Sequence, residues 1–308
     1  MKGVSVVKGI YLLIGLLCVT PLISAPIALL LGIIIAQIFT HPFPKFNKTA
    51  TSFLLKFCVV GLGFGMNVTS ALKAGREGFL FTVTSIVATL IIGILLGKLF
   101  KVERITSFLI SGGTAICGGS AIATLSPVVK ANQNQISVSL GVIFILNSVA
   151  LFIFPVIGRH LHLSQADFGL WSAIAIHDTS SVVGAAAKYG NEALQIATTV
   201  KLARALWIIP LAFLSSFVFK SKDAKVKIPY FIGLFVLAII VNTYINGISK
   251  ISPYIVEISK AGLKLTLFLI GTGLSSKLLK SVGISPVIQG LLLWSIISIA
   301  SLLSIMYL

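Results

Sequence analysis

Ser111-Gly-Gly-Thr-Ala-Ile-Cys-Gly-Gly-Ser-Ala-Ile-Ala-Thr-Leu-Ser126 lies inside an uncharged run of 25 residues bounded by Arg104 and Lys130. That length suits a membrane span, yet its centre is built from residues that a lipid-facing helix does not use. Gly112, Gly113, Gly118 and Gly119 are poor helix formers. Thr114, Ser120, Thr124 and Ser126 would carry hydroxyls to bilayer depth. Backbone departs from helix inside a membrane only where protein covers it or a water-filled cavity meets it. Small residues also serve close helix packing. Two glycine pairs with four hydroxyls point instead to a broken helix facing an interior site, as in a transporter's substrate chamber.

Outward from this run, the composition sets the class. The 308 residues are 57% hydrophobic and 10% charged, and the mean hydropathy is +1.08. A soluble domain is excluded; the expectation is an all-α, polytopic membrane protein. The net charge of +17 comes from 24 Lys+Arg against 7 Asp+Glu. These basic residues are scattered in short loops between apolar runs, which fits a membrane surface and speaks against nucleic acid. Cys18, Cys58 and Cys117 fall in apolar runs and offer neither a disulfide framework nor metal spacing. No metal or other cofactor is implied. Lys2 and Lys8 before the apolar run from Gly9 imitate a signal peptide. No small-residue cleavage site follows, so an uncleaved first span is expected.

Charge-free windows predict spans at about 9–20, 25–39, 51–67, 79–97, 105–129, 136–158, 168–187, 194–219, 228–246, 256–275 and 287–308. With the N-terminus inside, 14 basic residues fall in inner loops, including Lys98, Lys101, Arg104 and Arg159. Five fall outside: Lys73, Arg76, Lys130, Lys188 and Lys250. Lys56, Lys201, Arg204, Lys260 and Lys264 are left within spans. This asymmetry predicts a multi-pass protein of the cell (inner) membrane with a cytoplasmic N-terminus and an external C-terminus. Reading 9–39 as one bent segment gives ten spans and the same later loops.

At an offset of 208, Leu55-Lys56 matches Leu263-Lys264, Gly63 and Gly65 match Gly271 and Gly273, and Gly75 matches Gly283. The two copies run in opposite directions, as in inverted repeats, with halves at about 25–158 and 168–308. On one helix face, Ser52, Lys56, Gly63 and Asn67 form a polar stripe. Its counterpart in the tenth span is Lys260, Lys264, Gly271 and Ser275. Lys56 and Lys264 could equally snorkel to headgroups.

His177-Asp178 sits midway along Phe168–Ala187 and is followed by Thr179, Ser180 and Ser181. A carboxylate at mid-membrane must be neutral, paired, or beside water. His177 could act as its partner or as a proton relay, and Asp178 could also cap a half-helix. Lys201 and Arg204 are three residues apart and share a helix face too deep for easy snorkelling. Two cations beside a glycine-rich break suggest an anion; an internal ion pair with Asp178 is the rival. Adjacent His177 and Asp178 make no catalytic triad, and no HExxH, P-loop or dinucleotide motif occurs. An enzyme is not expected.

At Ala115-Ile-Cys-Gly-Gly-Ser-Ala-Ile122, Ile176-His-Asp-Thr-Ser-Ser-Val-Val-Gly-Ala185 and Ala197-Thr-Thr-Val-Lys-Leu-Ala-Arg204, the chain resembles the prokaryotic sulfate exporter family of uncharacterised inner-membrane proteins. That family is grouped with the bile acid:sodium symporter and sodium/proton antiporter superfamily. The resemblance runs from about residue 10 to the C-terminus. It implies inverted repeats and two discontinuous helices crossing near the midplane, one broken at Gly118, Gly119 and Ser120, the other at His177 to Ser181. One feature departs from that pattern. Spans five and seven run the same way here, whereas crossed repeat partners are inverted.

The expected function is secondary active transport of a small anion, sulfate or a sulfonate among the candidates, coupled to protons or sodium. Gly118, Gly119, Ser120, Thr179, Ser180 and Ser181 would line the substrate site and Lys201 and Arg204 would compensate its charge. His177 and Asp178 would bind the coupling ion. A cation/proton antiporter with Asp178 as the cation ligand is the first alternative, and a non-transporting membrane scaffold or sensor the second. The partners are the lipid bilayer, the small anionic solute, and a proton or sodium; a homodimer is compatible with this.

Overall fold

Apolar runs with no water to solvate their backbone satisfy it internally, and every regular element among the described residues is helical. The computed structural model describes residues 2–39, 42–219, 230–245, 247–273 and 283–307. Its helices are α1 (Lys2–Val19), α2 (Ala25–Ile38), α3 (Pro44–Leu62), α4 (Val68–Leu99), α5 (Arg104–Ala115), α6 (Gly119–Val128) and α7 (Gln133–His160). There follow α8 (Gln165–Ala175), α9 (Thr179–Tyr189), α10 (Asn191–Ala205), α11 (Ile208–Val218), α12 (Tyr230–Tyr244), α13 (Ile248–Gly273) and α14 (Ile284–Tyr307). The segments Thr82–Leu99, Asn134–His160, Asn191–Val218 and Ile284–Tyr307 are each long and apolar enough to cross a membrane. Leu16, Phe53, Phe57, Leu95, Phe213 and Phe217 are exposed, the lipid-facing skin of a polytopic membrane protein.

Helix boundaries follow local chemistry. Asn132 and Gln135 form a reciprocal capping box that starts α7, with Gln135 N–H donating to Asn132 Oδ1 at 2.9 Å. Asn67 caps α4 by accepting from Ser70 N–H at 2.8 Å. The third predicted span therefore ends earlier than expected: α3 stops at Leu62, Gly63–Gly65 tighten into a 3₁₀ turn, and Asn67 belongs to the next helix. Asn67 does not share a helix face with Lys56. Lys56 lies over the Tyr230 ring, 5.4 Å from its centroid. Ser275, the last member of the matching stripe, lies outside the described residues.

The helix interruptions expected in spans five and seven are present, at residues 116–118 and 176–178. Each segment then reverses. Gly112 lies against Leu125 and Gly113 against Ile122, pairs far too distant in sequence to meet along one continuing rod. The start of α5 lies beside the start of α7, because Gln135 Nε2 donates to Glu103 and Ser139 Oγ to Thr106 O. Only Val129–Asn132 join α6 to α7, and four residues reach about 14 Å. The end of α6 must therefore return to the face from which α5 set out. We call this pair of helices hairpin A.

Hairpin B, α8 and α9, is closed at its base. The Phe168 and Tyr189 rings stack at 3.8 Å, Tyr189 Oη donates to Leu163 O at 2.6 Å, and Gln165 Oε1 accepts from Glu192 N–H at 3.1 Å. Arg159, at the end of α7, donates to Lys188 O at 2.9 Å. The base of hairpin A is at the first end of α7 and that of hairpin B at its last, so the two enter from opposite faces. Neither crosses, and the chain makes two crossings fewer than the windows suggested. The parity conflict between spans five and seven disappears, since re-entrant segments of opposite entry are already inverted.

Two helix groups hold this arrangement. In the first, α13 packs against α1, α2, α3 and α12. Here α3 and α13, the matched segments of the offset-208 repeat, run antiparallel: Cys58 meets Gly262, Gly61 meets Ser259, and Asn47 Nδ2 donates to Leu269 O at 2.9 Å. In the second, the hairpins pack among α4, α7, α10, α11 and α14. Gln289 of α14 ties α4 to α5, its Nε2 donating to Gly93 O at 2.9 Å and to Ser107 Oγ at 2.8 Å.

Candidate binding site

The hairpin tips meet. At Gly118 the backbone adopts φ +63° and ψ −122°, left-handed territory that favours glycine. A Cβ there would lie 3.2 Å from Ile143 and 3.4 Å from the Cα of Asp178. Asn147, near the midpoint of α7, marks the depth. Its Oδ1 accepts from His177 N–H at 3.1 Å and Asp178 N–H at 3.3 Å. Two irregular turns thus face each other halfway through the protein.

A break leaves terminal carbonyls and N–H groups without helical partners, and their fate defines the site. The last carbonyls of α8 are all taken. Lys201 Nζ donates to Ala173 O at 3.2 Å and Ile176 O at 2.7 Å. Arg204 Nη1 donates to Ile174 O at 2.9 Å, and Trp294 Nε1 to Ala175 O at 3.0 Å. Arg204 also reaches the other hairpin, with Nε donating to Ala115 O at 2.6 Å. Both cations are fully buried, and each sits at the negative end of a half-helix dipole. Arg204 clamps the two hairpins together.

The positive ends differ. At the start of α9 the Asp178 carboxylate accepts from Ser180 N–H at 3.1 Å and from the Ser180 hydroxyl, with Ser181 N–H at 3.4 Å. It is an N-cap. Among the described residues no ion pair within 4 Å joins Asp178 to Lys201 or Arg204. The N-cap of α6, Gly118, has no side chain to cap it, and of the first N–H groups that of Ala121 meets the Cys117 thiol; Gly119 is half-buried and Ser120 exposed. On the residues of the two tips and the helices that brace them, several buried polar atoms have no hydrogen-bond partner: Arg204 Nη2, Asn147 Nδ2, Thr114 Oγ1 and both ring nitrogens of His177.

Of the residues singled out from sequence, Gly118, Gly119, Ser120, His177, Asp178, Thr179, Ser180, Ser181, Lys201 and Arg204 belong to these tips or to the helix bracing them. Lys56, Asn67 and Lys264 do not. Asn147 and Trp294 escaped the sequence reading. A single amide midway along the apolar run 136–158 was the available signal for Asn147; nothing local distinguishes Trp294. Among the described residues no group of His, Cys, Asp and Glu could hold a metal ion.

Comparison with known proteins places this chain in a family. The model of conserved hypothetical protein 698 matches residues 4–303. The chain belongs to that family. An UPF0324 membrane protein of Bacteroides thetaiotaomicron is 56% identical over 282 residues, covering 91% of this chain and 86% of its own. Members from Porphyromonas gingivalis (50% identity; 92% and 87% covered) and Shewanella oneidensis (46%; 97% and 94%) carry the same description. Conserved hypothetical protein 698 is thus a family of membrane proteins, and the present member is matched almost end to end. No solved structure matches the chain.

Proposed function

We propose that this member of the conserved hypothetical protein 698 family is a secondary transporter of a small anion, which binds between the hairpin tips. The observation that carries the reading is the imbalance of hydrogen-bonding groups there. Asp178 is occupied as a cap, while Arg204 Nη2 and Asn147 Nδ2 are donors without acceptors and the Gly118 N-cap supplies α6 with no side-chain acceptor. A buried donor without a partner costs about 1–3 kcal/mol, and an anion at a helix N-terminus supplies acceptors where the dipole favours them. A surplus of donors suits an anion better than a cation, which argues against the antiporter alternative. Lys201 and Arg204 first serve the carbonyls freed at the breaks. Lys201 keeps one N–H and Arg204 its Nη2 group for the solute.

His177 and Asp178 are the candidates for the coupling proton or sodium, since a proton or ion on Asp178 would alter the capping of α9 and the His177 ring nitrogens beside it have no partner. The resemblance to sulfate exporters nominates sulfate and sulfonates as the first solutes to test. The face carrying Lys98, Lys101, Arg104 and Lys130 is taken as cytoplasmic on the positive-inside rule, so hairpin A enters from inside and hairpin B from outside.

Transport assays in vesicles test this. Asp178→Asn, Lys201→Ala and Asn147→Ala should each reduce flux of at least one anion by about tenfold or more, the effect of about 1.4 kcal/mol. Unchanged flux of every tested anion in all three variants would overturn the proposal.

A further inference from the structure

A cavity of about 410 Å³ lies between the two helix groups. Asn191, Gln195 and Thr198 of α10 line one side, and Asn242 of α12 with Ser252 and Val256 of α13 the other. Asn191 begins α10 next to the base of hairpin B, where Glu192 N–H meets Gln165, so the cavity opens on that face. Exposure falls with depth along α10: Asn191 is exposed, Gln195 half-buried and Thr198 buried. From Asn191 to Thr198 the helix descends about 10 Å, and Lys201 lies about 4.5 Å deeper. Leu194, another lining residue, shares its helix stripe with Lys201.

The walls are polar at a depth where lipid-facing helices are not. Gln195 Nε2 donates to Gly65 O at 2.7 Å and Asn242 Nδ2 to Met66 O at 2.8 Å. Side chains of the cavity thus hold the carbonyls freed between α3 and α4, as irregular backbone in a membrane requires. Glu257 and Lys260, which also line it, pair at 3.1 Å and cancel in charge. Buried Leu62, Met66 and Thr198 form the inner end, where Thr199 Oγ1 meets Met66 Sδ at 3.3 Å. Amides and hydroxyls around such a space favour water within it. At about 30 Å³ per water, it admits a small anion with part of its hydration.

We propose that this cavity is the vestibule by which the solute reaches the hairpin tips from the face of hairpin B, with α10 as the wall that leads inward to Lys201. This route presupposes the transport reading above and adds to it the side and path of entry.

The test uses membrane vesicles of both orientations, with sulfate, phosphate and methanesulfonate as the solutes. Cys18, Cys58 and Cys117 are buried and can remain. Gln195→Cys and Val256→Cys place a thiol on opposite walls of the cavity. Lys250→Cys, exposed near the start of α13 and outside the cavity, is the control. The reagent is sulfonatoethyl methanethiosulfonate, which is small, anionic and impermeant. Both wall thiols should react from the face that carries Lys188 and stay silent from the other. Their modification should lower flux by about tenfold against the same variant untreated, because added bulk and negative charge obstruct the path. Lys250→Cys should react without loss of flux. Gln195→Cys gives up the bond to Gly65 O, so Val256→Cys carries the test if that variant does not fold. Modified walls with unchanged flux, reaction from the face of hairpin A, or no reaction would overturn the vestibule and leave the transport reading standing. No flux of any of these solutes in the untreated parent would overturn both.

Discussion

Arg204→Leu should destabilise the protein by about 2–5 kcal/mol, because it strands two buried carbonyls at about 1–3 kcal/mol each. Those carbonyls, Ala115 O and Ile174 O, belong to different hairpins. The loss therefore falls on the junction between them as well as on each. Removing a buried charge recovers some desolvation energy, which is why the range reaches low values. Arg204→Lys should be intermediate, since one ammonium on a shorter reach cannot serve both carbonyls in the fork geometry of a guanidinium. Unfolding midpoints in detergent read both effects. A Leu variant as stable as the parent would mean that the clamp holds nothing.

Gly271→Ala should be nearly as costly for a different reason, at about 3 kcal/mol. The α2–α13 crossing is a backbone-to-backbone contact. A Cβ on Gly271 would overlap Leu29 O and lie 2.9 Å from Ile33 N and 3.0 Å from Gly32 Cα. None of these atoms is the end of a flexible side chain, so the helices must separate, and small residues exist at such crossings to prevent that. Gly233→Ala in α12 is the control, because nothing lies within 4 Å of a Cβ there. It should be neutral or slightly stabilising, as Ala favours helix over Gly. Equal stability of the two variants would contradict the crossing.

The class of the fold and the position of both breaks were legible in the sequence, because glycine pairs and hydroxyls at bilayer depth have no place in an ordinary span. The reversal at each break was not. A re-entrant segment and a crossing one have the same apolar length, and two reversals in succession restore the parity of every later loop. Even the basic-residue tally is blind to them, because Lys130 and Arg159 change places between the two faces. Buried cations gave a similar partial reading. Lys201 and Arg204 announce a polar interior, but sequence does not say that their first partners are the carbonyls of α5 and α8. Those carbonyls exist as acceptors only once the helices have broken there. The capping use of Asp178 was visible in advance as the ordinary preference of Asp for a helix start.

Side-specific labelling of single cysteines tests the two opposed hairpins most directly. Cys18, Cys58 and Cys117 are buried and should stay silent toward an impermeant maleimide, while Arg104, Lys130, Arg159 and Lys188 are exposed. Arg104→Cys and Lys130→Cys should label from one face of the membrane, and Arg159→Cys with Lys188→Cys from the other. Labelling of positions 104 and 130 from opposite faces would make that segment a crossing helix and contradict the account.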